Sequence, residues 1–447
     1  MDKYIFRNKV IRNNNINFLA KKSIDYDDSY NSLSVILACL VDIRLESKYY
    51  KRRYCIHFLM SGTEWFKNSV TYHIFIDRFA GFQSHENWDQ PIFLGGTIRG
   101  IINKLPYLKD LGITTLWISP FYKTSAYHGY HITDFYQVEP HFGSIKDIKD
   151  LIHASHEQNL HVIADFVPNH CSKEHPFFKE AQNNKNSQYR DWFYFTHWPS
   201  EYLCFLSVKE LPKLNLNNPP TRDYIVNAAK YWLNMGLDGF RLDHIIGPSH
   251  TFWRHFKQEI KDNNPNAVLI GEAWMMGIKQ KELRTLQVRN KFFKWLSGAA
   301  SENLFKEYIG EFDGVLDFTV QELIKKHITN PKISTKKLEQ QLKNHYAHFP
   351  EYFLLPTFLD NHDMDRFLFE CKNDKEKLKR AAIIQFSLLQ PAIIYYGTEI
   401  GTTQTKSHWT IPSNGDLQAR QPMNWTNQDQ DLFTFYKKLI KKKKNNK

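Results

Sequence analysis

The chain has 447 residues, of which 42% are hydrophobic and 24% charged, and its mean hydropathy is -0.53. This composition excludes a wholly disordered chain, a collagen-like chain and a membrane-spanning protein. The length allows two or three domains, or one large barrel. The apolar stretch 33–41 is too short for a membrane span and follows acidic residues, so neither a signal peptide nor a membrane partner is predicted.

Lys and Arg (59) exceed Asp and Glu (47) by 12, a surplus that could suit nucleic acid. Seven of the lysines fall between Lys437 and Lys447, which is typical of a solvated helix end, and we expect no nucleic-acid partner. The five cysteines are odd in number and widely spaced, which predicts neither a disulfide framework nor a thiolate metal site and favours the cytoplasm. They are Cys39, Cys55, Cys171, Cys204 and Cys371.

Residues 1–66 form a short N-terminal region with a strand-like run at 54–60. From residue 67 to 447, short apolar runs alternate with longer amphipathic stretches, which indicates repeated β-α units and a parallel sheet. Eight units predict an α/β fold closed as an eight-stranded TIM barrel. The predicted strands are 70–76, 114–118, 161–166, 238–242, 268–271, 314–318, 353–358 and 392–396, and helical patterns between them include 98–111, 224–235 and 378–389.

Acids and histidines stand at the carboxyl ends of four predicted strands, where a barrel of this kind carries its chemistry. A single Asp there is more often a helix N-cap, and a single His more often a packed ring. A cluster of acids in one cleft, however, costs too much free energy to be explained by packing. The residues are Asp165, Asn169, His170, Arg241, Asp243, Glu272, His362 and Asp363.

Carboxylates without cysteine ligands or a Gly-rich phosphate loop predict either glycoside chemistry or an oxygen-ligand metal site. Arg241 lies two residues before Asp243, so both point to one side of a strand, where the guanidinium favours an ionised nucleophile. Glu272 follows an apolar run, which favours the protonated form of a general acid. Asp363 is then placed to hydrogen-bond sugar hydroxyls as the ring flattens in the transition state.

Four segments resemble, in order, the signature segments of the α-amylase family of glycoside hydrolases. They are DFVPNH at 165–170, GFRLD at 239–243, GEAW at 271–274 and FLDNHD at 358–363. Segments 72–79, 112–120 and 127–130 fit the same family, so the resemblance extends over about residues 65 to 440.

The resemblance implies Asp243 as nucleophile, Glu272 as acid/base and Asp363 as transition-state stabiliser. It implies no required cofactor, with Asn169 at the position of a calcium ligand, so calcium remains a candidate. Asp416 and Arg420 are explained equally well by an ordinary i to i+4 ion pair. The implied substrate-binding residues are Tyr130, which would stack beneath the sugar, His128, His170, Arg241, His362, Asp416 and Arg420.

Segment 211–215 (LPKLN) resembles a fifth signature of the neopullulanase, cyclomaltodextrinase and maltogenic amylase branch. Segment 167–215 corresponds to the small domain that the family inserts after its third strand, and its many aromatic residues suit sugar stacking or core packing. The family's C-terminal β-sandwich is not expected, because the chain ends about 50 residues after the eighth strand. Residues 244–247 depart from the branch pattern, and no role is predicted for His244 or His250.

The predicted function is a retaining glycoside hydrolase that cleaves α-1,4-glucosidic bonds in maltooligosaccharides, cyclodextrins or starch-like glucans. One alternative is a 4-α-glucanotransferase, which passes the sugar to another sugar hydroxyl. The other is a non-catalytic relative, which would be expected to lack one of the three acids. The sequence leaves the oligomeric state open.

Overall fold

A computed structural model of the protein describes residues 62–275, 278–289 and 302–445. The strand-like run at 54–60, Cys39 and Cys55 lie outside the described residues. From Gly62 onward the chain belongs to one compact unit.

In the part of the chain that the structure describes, seven parallel strands form one curled sheet in the order β6-β5-β4-β3-β2-β1-β7. The strands are buried along almost their entire length, as expected of a parallel sheet covered by helices. They are β1 (Val70–Ile74), β2 (Thr115–Ile118), β3 (His161–Phe166), β4 (Gly239–Leu242), β5 (Val268–Gly271), β6 (Gly314–Val315) and β7 (Ala392–Tyr395).

The prediction of a regular strand at 353–358 is wrong. This segment makes only isolated bridges, from Leu354 to β6 and from Thr357 to β7, because Pro356 between them has no N–H to donate. Leu354 O accepts the Val315 N–H at 3.0 Å, and Thr357 O accepts the Ile393 N–H at 2.8 Å. Segment 353–358 therefore hydrogen-bonds to both edge strands of the sheet, an arrangement consistent with a TIM barrel.

Other predicted elements differ from the structure mainly at their ends. The first strand ends at Ile74, and the predicted helix 98–111 is two helices that meet at Lys104, with Pro106 in the first turn of the second. The sixth strand stops at Val315 because Asp317 caps the following helix by accepting the Val320 N–H.

Helices surround the sheet and bury one apolar face each; for example, Leu432, Tyr436 and Ile440 are buried in the last helix while most of its lysines are exposed. No helix within the described ranges is both long and apolar enough to cross a membrane. The α-helices are Glu64–Lys67, Ile76–Phe79, Ile98–Asn103, Leu105–Leu111, Ile145–Glu157, Pro176–Asn183, Pro219–Asn234, His250–Asn263, Glu302–Phe305, Phe318–Thr329, Thr335–Tyr346, Phe367–Glu370, Lys375–Ser387 and Gln430–Asn445.

Within the described residues, four short strands lie outside the main sheet and form two antiparallel pairs, Tyr122–Thr124 with Ile132–Val138 and Phe195–His197 with Glu201–Tyr202. The 3-10 helices are Arg190–Trp192, Phe205–Ser207, Gln280–Thr285, Lys306–Tyr308, Thr398–Ile400, His408–Thr410 and Gly415–Gln418.

Segment 167–215 leaves the sheet after β3 and contains one α-helix and the second of these strand pairs. Its chain returns beside its own start, with bridges from His170 to Lys213 and from Phe193 to Leu214. Trp192 and Phe193 are buried, and Phe193 packs edge-on against Phe178. These aromatic rings therefore form a local core.

Candidate active site

Arg241 lies at the centre of the carboxylates at the strand ends, and its side chain is only 1% exposed. It extends from β4, where Gly239 permits close approach to β5: a Cβ at this glycine would lie 2.1 Å from the Val268 carbonyl oxygen. Arg241 Nη1 donates to Asp165 Oδ1 at 2.7 Å and to Asp243 Oδ1 at 3.0 Å. Its Nη2 forms an ion pair with Glu272 Oε1. The guanidinium thus joins the ends of β3, β4 and β5.

Tyr130 and His362 connect this cluster to Asp363. Tyr130 Oη donates to Asp165 Oδ2 at 2.8 Å and lies 2.6 Å from His362 Nε2. His362 Nε2 is 3.1 Å from Asp363 Oδ2. The Tyr130 and His362 rings are parallel, with centroids 5.3 Å apart. Polar contacts therefore run without a break from Glu272 through Arg241, Asp165, Tyr130 and His362 to Asp363.

Arg420 holds Asp363 from the opposite side. Its Nη2 donates to Asp363 Oδ1 at 3.0 Å, its Nε donates to the His362 carbonyl oxygen at 2.9 Å, and it forms an ion pair with Asp416. Tyr127 adds its hydroxyl, which accepts from Arg420 Nη1 at 3.3 Å. The predicted i to i+4 ion pair is therefore present and is also part of the site.

Burial raises the pKa of Glu272 to about 7, with Arg241 opposing the shift and Asp363 and Asp165 adding to it. Burial also raises the pKa of Asp243, against the guanidinium beside it. One guanidinium faces three carboxyls here, so their charges do not balance if all three are ionised. We infer that the cluster holds a shared proton near neutral pH.

His128 lies in the connection after β2 and His170 in the connection after β3. Both contact neighbouring backbone or aromatic rings. His128 Nδ1 accepts the Tyr130 N–H at 3.1 Å, which supports the turn that positions Tyr130. The His170 ring packs at 4.8 Å from Phe205, and burial lowers its pKa to about 3. Both rings are therefore kept neutral.

The residues around Asn169 do not fit a calcium ion. Lys213 is 4% exposed, and its Nζ donates to Asn169 Oδ1 at 3.3 Å, to the Gly247 carbonyl oxygen at 2.6 Å and to the Thr285 carbonyl oxygen at 2.5 Å. An ammonium group thus already lies among the oxygens that a cation would need. The described part of the chain contains no cluster of three or more His, Cys, Asp or Glu able to hold a metal ion.

Sequence reasoning left several contributors out of the predicted site. Asp165 was seen at a strand end but was given no role, although it bonds both Arg241 and Tyr130. His244 was given none either, and its backbone N–H donates to Glu272 Oε2 at 3.2 Å. Lys213 lies in segment 211–215, and its basic side chain between the apolar Pro212 and Leu214 was the signal that could have marked it.

Residues 66–447 match the family model described as the catalytic domain of α-amylase. The chain belongs to the α-amylase family. Within this family it is 37% identical over 387 residues to α-amylase 2 of Dictyoglomus thermophilum, with 85% of this chain and 64% of the relative covered. It is 30% identical over 402 residues to neopullulanase 2 of Thermoactinomyces vulgaris, with 85% and 63% covered.

Among solved structures of the α-amylase family, a cyclomaltodextrinase superposes with a TM-score of 0.73 at 28% identity, covering 85% of this chain and 64% of that one. The chain therefore spans slightly less than two thirds of the length of these relatives.

Proposed function

We propose that this protein is a retaining glycoside hydrolase that cleaves α-1,4-glucosidic bonds in maltooligosaccharides, cyclodextrins or starch-like glucans. The observation that carries the proposal is the contact of Asp243 and Glu272 with one guanidinium, that of Arg241. Two carboxyls that share one guanidinium lie close together, and close carboxyls are what a retaining mechanism needs.

In the proposed reaction Asp243 attacks the anomeric carbon while Glu272 donates its proton to the leaving glucosidic oxygen. The covalent glycosyl-enzyme forms as the bond to the leaving sugar breaks. Glu272 then removes a proton from water, which attacks the same carbon and releases Asp243. Burial supports the acid role, because it keeps Glu272 protonated close to neutral pH.

The remaining residues are proposed to hold the sugar at the cleaved bond. Asp363 accepts hydrogen bonds from ring hydroxyls and is held in place by Arg420. Tyr130 packs beneath the sugar, and His362 and His170 bind it at its edges. Asp416 and Arg420 bind the next sugar. His128 is proposed to act through Tyr130, whose backbone it orients.

We further propose that segment 353–358 serves as the eighth strand position of a closed barrel at 67–447, and that 167–215 is an inserted domain. The hydrogen bonds of Leu354 and Thr357 to the two edge strands support the first statement. The local aromatic core supports the second. The cytoplasm remains the proposed location, because Cys171, Cys204 and Cys371 are buried free thiols.

The test of the proposed function is NMR of the anomer first formed from maltotriose, together with separation of the products by chain length. Retention predicts the α-anomer, and an initial β-anomer would contradict the mechanism. Products longer than maltotriose as the main outcome would favour the glucanotransferase alternative.

A comparison of kcat/KM on β-cyclodextrin, maltotriose, pullulan and soluble starch then decides the substrate. We expect the small substrates to be preferred, as the resemblance of 211–215 to its branch implies.

A further inference from the structure

A tryptophan outside the predicted site lies exposed beside it. Trp409 belongs to the short helix His408–Thr410, in the long connection between β7 and the last α-helix, and is 52% exposed. Its ring lies edge-on to that of Trp274, with centroids 6.3 Å apart. Exposure of so large an apolar ring is unfavourable in water, and at the rim of a cleft it is typical of a binding surface.

Trp274 connects this ring to the proposed acid. It comes two residues after Glu272 and packs parallel to Phe318, with centroids 4.6 Å apart. A row of aromatic rings therefore leads from the neighbourhood of Glu272 outward to Trp409. In the proposed reaction Glu272 faces the leaving oxygen, so a row of rings that begins beside Glu272 is within reach of the leaving part of the substrate.

The loop that carries Trp409 is anchored by its backbone and polar side chains and not by the tryptophan ring. Asp365, two residues after Asp363, accepts the His408 N–H at 2.8 Å, Ser407 Oγ at 2.5 Å and Gln404 Nε2 at 2.5 Å. Asp365 is buried. The loop thus holds Trp409 in a fixed place, and removal of the ring leaves these anchoring bonds intact.

We infer that Trp409, with Trp274 beside it, forms a stacking surface for glucosyl rings in the leaving part of the glucan. The inference rests on the proposed function and adds a specificity-determining residue to it. A glucosyl ring has an apolar face of C–H groups that packs well on an aromatic ring. Substrates with several sugars beyond the cleaved bond gain this contact, while substrates without them do not.

The test compares maltohexaose with α-maltosyl fluoride, whose leaving group is fluoride and cannot reach the surface. We expect Trp409→Ala to lower kcat/KM on maltohexaose about fivefold to tenfold and to change that on the fluoride less than about twofold. Trp409→Phe should retain most of the activity on both. Leu389→Ala is the matched control, because Leu389 is 89% exposed and precedes β7 at the opposite end of the sheet. It should change neither rate.

Equal losses on both substrates in Trp409→Ala would overturn the inference, because the ring would then act on the donor sugar or on the site itself. Unchanged activity on maltohexaose would also overturn it. Both results leave the proposed function standing. If the wild-type protein cleaves no glucan, the proposed function fails. Calorimetry then measures the affinity for maltohexaose of the wild type and of Trp409→Ala. Equal affinities would overturn the inference as well.

Discussion

At the scale of single residues, the site depends on one positive charge shared by several acids. Arg241 bonds Asp165 and Asp243 and pairs with Glu272, so its guanidinium lowers the cost of burying all three carboxyls. This one charge cannot neutralise three carboxylates. The reactivity of the site therefore depends on how many of the three carboxyls are protonated.

Asp243→Asn tests the nucleophile. We expect turnover on maltotriose to fall at least about a thousandfold, because an amide cannot form the covalent intermediate. The amide oxygen still accepts from Arg241, so the thermal unfolding midpoint should stay close to that of the wild type. Asp223→Asn, on an exposed side of the helix Pro219–Asn234, is the control and should keep full activity. Substantial activity in Asp243→Asn would reassign the nucleophile.

The pH dependence tests Glu272. Its pKa is raised to about 7, so the protonated form dominates below that pH and is lost as the pH rises through it. We expect kcat/KM on maltotriose to fall above about pH 7. α-Maltosyl fluoride needs little acid assistance, so its kcat/KM should not fall in the same range. A parallel fall on both substrates would show that another group controls this limb of the profile.

At the scale of elements, a lysine joins the inserted segment to the loops after β4 and β5. The Lys213 ammonium group donates hydrogen bonds to Asn169, Gly247 and Thr285. These three residues lie in the connections after β3, β4 and β5. Asn169 stands at the position of a calcium ligand in the family. In this chain it is hydrogen-bonded to the ammonium group of Lys213.

Lys213→Ala is expected to lower the free energy of unfolding by about 3 kcal/mol, because the oxygens it serves lose a buried charged donor. Lys185→Ala, at an exposed position in the same segment, should change it little.

Treatment with EDTA should alter neither activity nor the unfolding midpoint of the wild type. A large loss of stability in EDTA, restored by calcium, would contradict this assignment.

At the scale of the whole molecule, two glutamine side chains supply hydrogen bonds to segment 353–358, where the sheet has no regular strand. Gln385, which is buried, donates from Nε2 to the Thr357 carbonyl oxygen at 2.9 Å and to the Ile393 carbonyl oxygen at 3.0 Å. Gln390 Oε1 accepts the Leu355 N–H at 2.9 Å. These amides connect segment 353–358 to β7 and to the residues that precede it.

Gln385→Met tests this connection with a side chain of similar shape and no donor. We expect a loss of about 1–3 kcal/mol in the free energy of unfolding, because two buried carbonyl oxygens lose a donor. Denaturant unfolding measures it, with the exposed Gln340→Met as control. Equal stability of the two variants would show that the sheet edges do not need this contact.

The amino-acid sequence by itself determined the β-α rhythm, the acids at the strand ends and, to within about two residues, six of the seven main-sheet strands in the described part of the chain. It could do so because apolar periodicity and signature segments are local properties of the chain. Whether 353–358 pairs regularly, what Asn169 contacts and where Trp409 lies were decided by the tertiary structure. Each of these depends on groups tens to more than a hundred residues apart in sequence, such as Lys213 and Thr285 or Trp274 and Trp409. Such contacts form only when the fold brings these groups together, and no local pattern encodes them.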